Sequence, residues 1–186
     1  MKNLTSRYPV YYILGNHEYG IGGHTINKPD KYTGDRSQLL INRMRGFGAT
    51  LLRNDIVCSG INNQKICLFG IDDIWKTKPN FSELNNWNES DPLVFITHNP
   101  DGILSYPANF PSPVLTLSGH THGGQVWIPL WGSPVGAQMV LDQSYYRGMN
   151  YFNGSAIYTS VGAGESGGAP LRLFAVPEVV IVELEP

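Results

Sequence analysis

Apolar runs alternate along this chain with polar, glycine-bearing turns, and three of those turns carry histidine. Val10-Tyr11-Tyr12-Ile13-Leu14 closes on Gly15-Asn16-His17-Glu18. Leu93-Val94-Phe95-Ile96-Thr97 closes on His98-Asn99-Pro100-Asp101. Val114-Leu115-Thr116-Leu117 closes on Ser118-Gly119-His120-Thr121-His122-Gly123-Gly124-Gln125. Short continuous apolar runs bounded by turn residues predict strands buried on both faces, as in a parallel sheet. The first such strand is predicted over 8–14. Others are predicted over 126–128 and 155–161, with a closing strand over 179–184. The helical spacing of Leu39, Leu40, Met44 and Phe47 predicts a helix over 35–46, stopped by Gly46 or Gly48. Shorter helices are predicted over 82–87 and at the start of 100–109.

The segment 50–72 is β-rich. Asn62-Asn63 between two runs predicts a hairpin turn, in a register that sets Cys58 opposite Cys67, the only two cysteines. The expectation is a pair of buried thiols, since free cysteine is commonly buried; the alternative is a cross-strand disulfide in an exported protein. Gly70-Ile71-Asp72-Asp73 offers two carboxylates. Adjacent strand residues face opposite ways, so at most one could face a metal; both read as turn residues holding backbone amides. Tyr145-Tyr146-Arg147 lies in an otherwise irregular stretch, 128–154. It would either line a phosphate or sugar pocket or cover a sheet edge.

Composition adds limits. With 186 residues and 41% hydrophobic content, one domain with a packed core is expected, and a net charge of -2 gives no electrostatic footprint for nucleic acid. Residues 1–7 lack the apolar core of a leader.

The chemistry gathers in the histidine turns, which hold four of the five histidines. Sites in layered α/β proteins form where strands end and loops converge. His120 and His122, two apart, would point the same way in extended backbone, and imidazole suits transition-metal ions. His24, the fifth, sits in a polar loop after Glu18, either as an exposed loop residue or as a substrate contact. Arg172 is a candidate phosphate contact, because guanidinium reads phosphate through a planar fork.

The motifs G-N-H-E, T-H-x-P-D and S-G-H-T-H-G-G-Q, in that order, resemble the calcineurin-like metallophosphoesterase superfamily, in its YkuE/YaeI-like bacterial branch. The resemblance implies an α/β fold, a two-sheet sandwich flanked by helices, and a dinuclear centre of Mn, Fe, Zn or similar divalent ions. Asn16, His98 and His120 would bind one ion and His122 the other. His17 would act as general acid or charge stabiliser. The implied reaction is phosphodiester hydrolysis by hydroxide bridging the metals, on a small-molecule or lipid-linked phosphoester. The family's D-x-H and G-D-x-x-D motifs are absent. The chain is therefore expected to be the C-terminal portion of one metallophosphoesterase domain, 1–186, lacking its first β-α-β segment. Its compartment stays open, cytoplasmic or membrane-associated and exported. The alternative is a catalytically incompetent fragment or degenerate domain that binds at most one ion. A structural zinc module fits poorly, since such sites are usually cysteine-rich and neither cysteine lies near a histidine motif.

Overall fold

The structure is a computed structural model that describes residues 1–22, 34–61, 64–134, 136, 138–164 and 171–185. His24 and the Asn62-Asn63 turn lie outside the described residues. The fold is α/β and is built on a mixed six-stranded sheet in the order β3-β4-β5-β6-β8-β7. Its strands are β3 (Asp55–Ile61), β4 (Gln64–Gly70), β5 (Leu93–Ile96), β6 (Leu115–Ser118), β7 (Gly148–Phe152) and β8 (Ser155–Thr159). β4, β5, β6 and β8 run parallel, while β3 and β7 close the edges antiparallel. A second, two-stranded parallel sheet pairs β1 (Tyr11–Tyr12) with β2 (Thr50–Leu51). The helices are α1 (Lys2–Thr5) and α2 (Ser37–Gly46), with short 3₁₀ turns elsewhere.

The central strands are apolar on both faces because both faces are covered. Phe69, Phe95, Leu93, Ile157, Leu84 and Trp87 form the main core, with the Phe69 and Phe95 rings stacked at 6.1 Å between centroids. Each such aromatic contributes about 2 kcal/mol through burial. Leu14, Tyr19 and Ile41 make a smaller core that seats α2 beside β1. Among the described residues, no helix is long and apolar enough to cross a membrane.

Several local expectations need correction. Only Tyr11 and Tyr12 of 8–14 pair as strand. In α2 the buried position is Ile41, while Leu39 stays 69% exposed, so the inward stripe is rotated from the predicted one. Residues 126–128 make isolated bridges, Val126 to Leu173 and Ile128 to Gly132, in place of a strand. The closing strand over 179–184 has no ladder, and its apolar side chains are largely exposed. β7 arises in the stretch read as irregular. There Tyr145 Oη donates to the Tyr151 carbonyl of the edge strand β7 at 2.8 Å, Tyr146 is buried, and Arg147 stacks over Trp127.

The hairpin register is the expected one, Cys58 opposite Cys67. The expectation of two free thiols is overturned: the two form a cross-strand disulfide. Directly opposed residues of an antiparallel pair bring their β-carbons close enough for the bond, and here the Cα atoms are 4.0 Å apart. Cys67 is fully buried and Cys58 is exposed on the outer strand.

Candidate metal centre

β5 and β6 are adjacent and parallel, so their carboxyl ends open on the same side of the sheet. His98 follows β5 and His120 follows β6. Gly119 N donates to the His98 carbonyl at 3.0 Å, which locks the two turns together. β1 belongs to the smaller sheet, and the 3₁₀ turn Asn16–Tyr19 that follows it leans over the same edge. Glu18 caps that turn by accepting from Gly15 N at 2.8 Å.

Three side chains meet here. His98 Nε2 lies 2.9 Å from Asn16 Oδ1 and 3.3 Å from His120 Nδ1. The Asn16 amide is oriented, because its Nδ2 donates to the Ile21 carbonyl at 2.7 Å and leaves Oδ1 to face the imidazole. Asn16 is buried and the two histidines are half-buried. Burial, then the neighbouring His120, His17 and His122, drive the His98 pKa down to about 3. The His122 pKa is also lowered, by burial and then by the Arg172 charge. Both rings are therefore neutral, the form that binds metal.

This donor set fits a divalent ion on two observations. Asn16 Oδ1 and His120 Nδ1 both lie within 3.3 Å of His98 Nε2, and an amide oxygen and two neutral imidazole nitrogens can each present a lone pair to a cation. His122 Nδ1 is buried with no hydrogen-bond partner among the described residues, an orphan of the kind that marks a functional group. The fit is to an amide–imidazole set. Among the described residues no three His, Cys, Asp or Glu side chains group as a metal cluster. Carboxylates near the site are used elsewhere, as with Glu18.

The H-x-H geometry differs from the expectation. His120 and His122 have φ of 66° and 53°, and Gln125 has 52°. They sit in left-handed turn backbone, so strand alternation does not orient them. Non-glycine residues in this region carry strain of about 1–3 kcal/mol each, and such strain gathers at functional sites. Tertiary contacts hold the turn. Thr121 Oγ1 donates to the Tyr146 carbonyl at 2.6 Å and accepts from Gly123 N at 3.2 Å. Ser133 Oγ donates to the Gly124 carbonyl at 3.0 Å.

The other predicted residues fall as follows. His17 is exposed in the Asn16–Tyr19 turn, close enough for its charge to act on His98 and His122. Arg172 is at the site, but not as a free phosphate contact. Its Nη1 donates to the carbonyls of His122 (3.3 Å) and Ala175 (3.0 Å), and its Nη2 to those of Val161 (2.8 Å) and Gly164. Among the described residues, the buried Nε has no partner. Asp72 and Asp73 behave as turn residues. Asp72 accepts from Tyr19 Oη at 2.5 Å, Arg53 Nε at 2.8 Å and Asp73 N at 3.0 Å. Asp73 accepts from Trp75 N at 3.0 Å, and burial lifts its pKa to about 6. Asp101 accepts from Val140 N and Leu141 N at 2.6 and 2.9 Å, so the last residue of T-H-x-P-D anchors a distant loop.

Sequence reasoning missed Trp75, whose ring stands edge-on to His120 at 4.7 Å. No local pattern marks it, because the contact crosses from the end of β4 to the end of β6. Gly15 was placed in the first motif without a reason. The reason is steric, since the His98 imidazole occupies the space its β-carbon would need.

Comparison with known proteins agrees with this geometry. The family model for calcineurin-like phosphoesterases matches residues 1–124. The chain is 33% identical over 182 residues to phosphodiesterase YaeI of Escherichia coli, covering 95% of this chain and 58% of that one. It is 32% identical to an uncharacterized metallophosphoesterase of Helicobacter pylori, covering all of this chain and 45% of the relative. It is 28% identical to the uncharacterized metallophosphoesterase YkuE of Bacillus subtilis, again over its full length and over 59% of the relative. The chain thus spans roughly half to three-fifths of the length of these relatives. No solved structure matches it.

Proposed function

Because the chain belongs to the calcineurin-like phosphoesterase family, a family of metal-dependent phosphoric ester hydrolases, we propose that it carries part of a phosphodiesterase site at the carboxyl ends of β5 and β6. The observation that carries this reading is the convergence of Asn16 Oδ1, at 2.9 Å, and His120 Nδ1, at 3.3 Å, on His98 Nε2. Asn16, His98 and His120 would hold one divalent ion, and the unpartnered Nδ1 of His122 would face a second. A bound divalent ion supplies Lewis-acid stabilisation of charge on the phosphoryl oxygens. His17, exposed beside the pair of neutral histidines, donates a proton to the leaving oxygen or stabilises charge on the phosphoryl group. The name of the Escherichia coli relative favours a diester substrate. A small-molecule or lipid-linked phosphoester remains the class proposed.

The test is hydrolysis of bis(p-nitrophenyl) phosphate against p-nitrophenyl phosphate with added Mn²⁺. Diester turnover that exceeds monoester turnover and is lost in His120→Ala supports the reading. Mn²⁺-independent turnover, or turnover that His120→Ala leaves intact, sinks it. A second reading rests on the donor set: two imidazoles and an amide neutralise none of the metal's charge. On that reading the chain binds one ion without turnover: the same assay shows no hydrolysis, while equilibrium dialysis shows Mn²⁺ bound.

A further inference from the structure

We propose that Arg172 is a positioning residue whose guanidinium holds the His122 turn in its metal-facing conformation; this rests on the metal-centre reading above. Backbone at His120, His122 and Gly123 is left-handed, with φ of 66°, 53° and 64°. Such a turn persists only when its surroundings over-determine it. The hydrogen bonds of Arg172 link it to both neighbouring segments. Nη1 takes the His122 carbonyl and the Ala175 carbonyl, and Nη2 takes the Val161 and Gly164 carbonyls beyond the end of β8.

The segment it grips is the surface on which the turn lies. A β-carbon on Gly123 would stand 2.4 Å from Val161 Cγ1, so turn and segment are in direct contact. Glu178 fixes the segment from the other side. It accepts from Val161 N at 3.0 Å and Tyr158 Oη at 3.1 Å, and Glu178 N donates to the Gly162 carbonyl at 3.1 Å. Arg172 itself is brought alongside by Leu173, whose N donates to the Gln125 carbonyl at 2.9 Å and whose carbonyl accepts from Trp127 N at 2.8 Å. These four partners of the guanidinium are all carbonyl oxygens. It therefore works as a planar fork gathering backbone, a role that the single ammonium of lysine does not reproduce.

The test compares the protein with His122→Ala, Arg172→Lys and Arg172→Gln. Mn²⁺ affinity is read by equilibrium dialysis, and the His122 and Gly123 amide resonances are read by NMR in the metal-free protein. Partners that orient a ligand typically change metal affinity 10–100-fold. We expect Arg172→Gln to weaken Mn²⁺ binding about tenfold or more, Arg172→Lys to weaken it less, and both to move the two amide resonances while those of β4 stay in place. If Arg172→Gln does not fold, Arg172→Lys decides. Loss of affinity in His122→Ala beside parental affinity and unmoved resonances in Arg172→Lys overturns the positioning role and leaves the metal centre standing. Parental affinity in His122→Ala, or no Mn²⁺ binding by the parent, overturns the metal reading at this turn and this proposal with it.

Discussion

Gly15 lies so close beneath the His98 imidazole that a β-carbon on it would stand 2.6 Å from Cε1 and 2.8 Å from Nε2. The ring sits where a side chain at position 15 would be. The first motif therefore shapes the second, although they are far apart in the chain.

Gly15→Ala is predicted to displace His98 from Asn16 and His120. Overpacking of this kind costs about 1–3 kcal/mol, and a displacement of about 1 Å at a reacting group costs on the order of a hundredfold in rate. Urea unfolding and diester turnover check the two parts. Full activity in a variant of normal stability would show that the ring has room to move.

Removal of divalent ions is predicted to lower the melting temperature as well as activity. A ligand bound only to the folded state adds about 2.7 kcal/mol at a hundred times its dissociation constant. Thermal melts with chelator and with Mn²⁺ should therefore differ for the parent and coincide for the double variant Asn16→Ala, His120→Ala. A Mn²⁺ shift that survives in the double variant would place the ion elsewhere.

The pH dependence of stability should carry opposed contributions in the metal-free protein. Asp73 has a folded pKa of about 6, raised by burial from 3.8. Its contribution is complete below 3.8 and is lost as pH rises through 6. His98 has a folded pKa lowered to about 3 from 6.5. Its contribution is complete above 6.5 and is lost as pH falls through 3. Between 3.8 and 6 Asp73 and His98 act in opposite senses, and the lowered pKa of His122 adds to the His98 side. Asp73→Asn keeps the acceptor for Trp75 N and removes one side of the balance. Its stability relative to the parent should rise by on the order of 2 kcal/mol between pH 3.5 and 7.5. Parallel pH curves for the two proteins would refute the Asp73 assignment.

Reduction of the Cys58–Cys67 disulfide should destabilise the protein. For a loop of this size the loss is about 2–3 kcal/mol. Mass spectrometry after alkylation should find two further adducts once a reductant is added. Adducts on both cysteines without reductant would mean that the bond does not form.

The sequence foretold the elements that local pattern controls. The apolar runs became β4, β5, β6 and β8, and the hairpin register was legible from the turn. His98 and His120 converge because the parallel strands β5 and β6 aim their carboxyl ends one way, and Asn16 meets them from the end of β1 in the smaller sheet. What stayed hidden depends on contacts between distant segments. Strand alternation misjudged His120 and His122 because the tertiary structure holds them in left-handed turns. Arg172 looked like a phosphate ligand, since nothing local reveals four carbonyls waiting for its fork. Trp75 and the role of Gly15 are visible only once β1, β4, β5 and β6 are side by side. The disulfide followed from a register that the sequence supplied, but its oxidation state did not.

Asn16 and His98 touch across 82 residues of chain. Their meeting requires two separate sheets and the order of β5 and β6 to be in place. Contacts of such separation close late, because loop entropy must be overcome before they return any stabilisation. The proposed metal-binding trio is therefore a clock for folding: capture of an ion by a refolding chain should lag behind burial of the Phe69–Phe95 core, and should report the last stage of assembly.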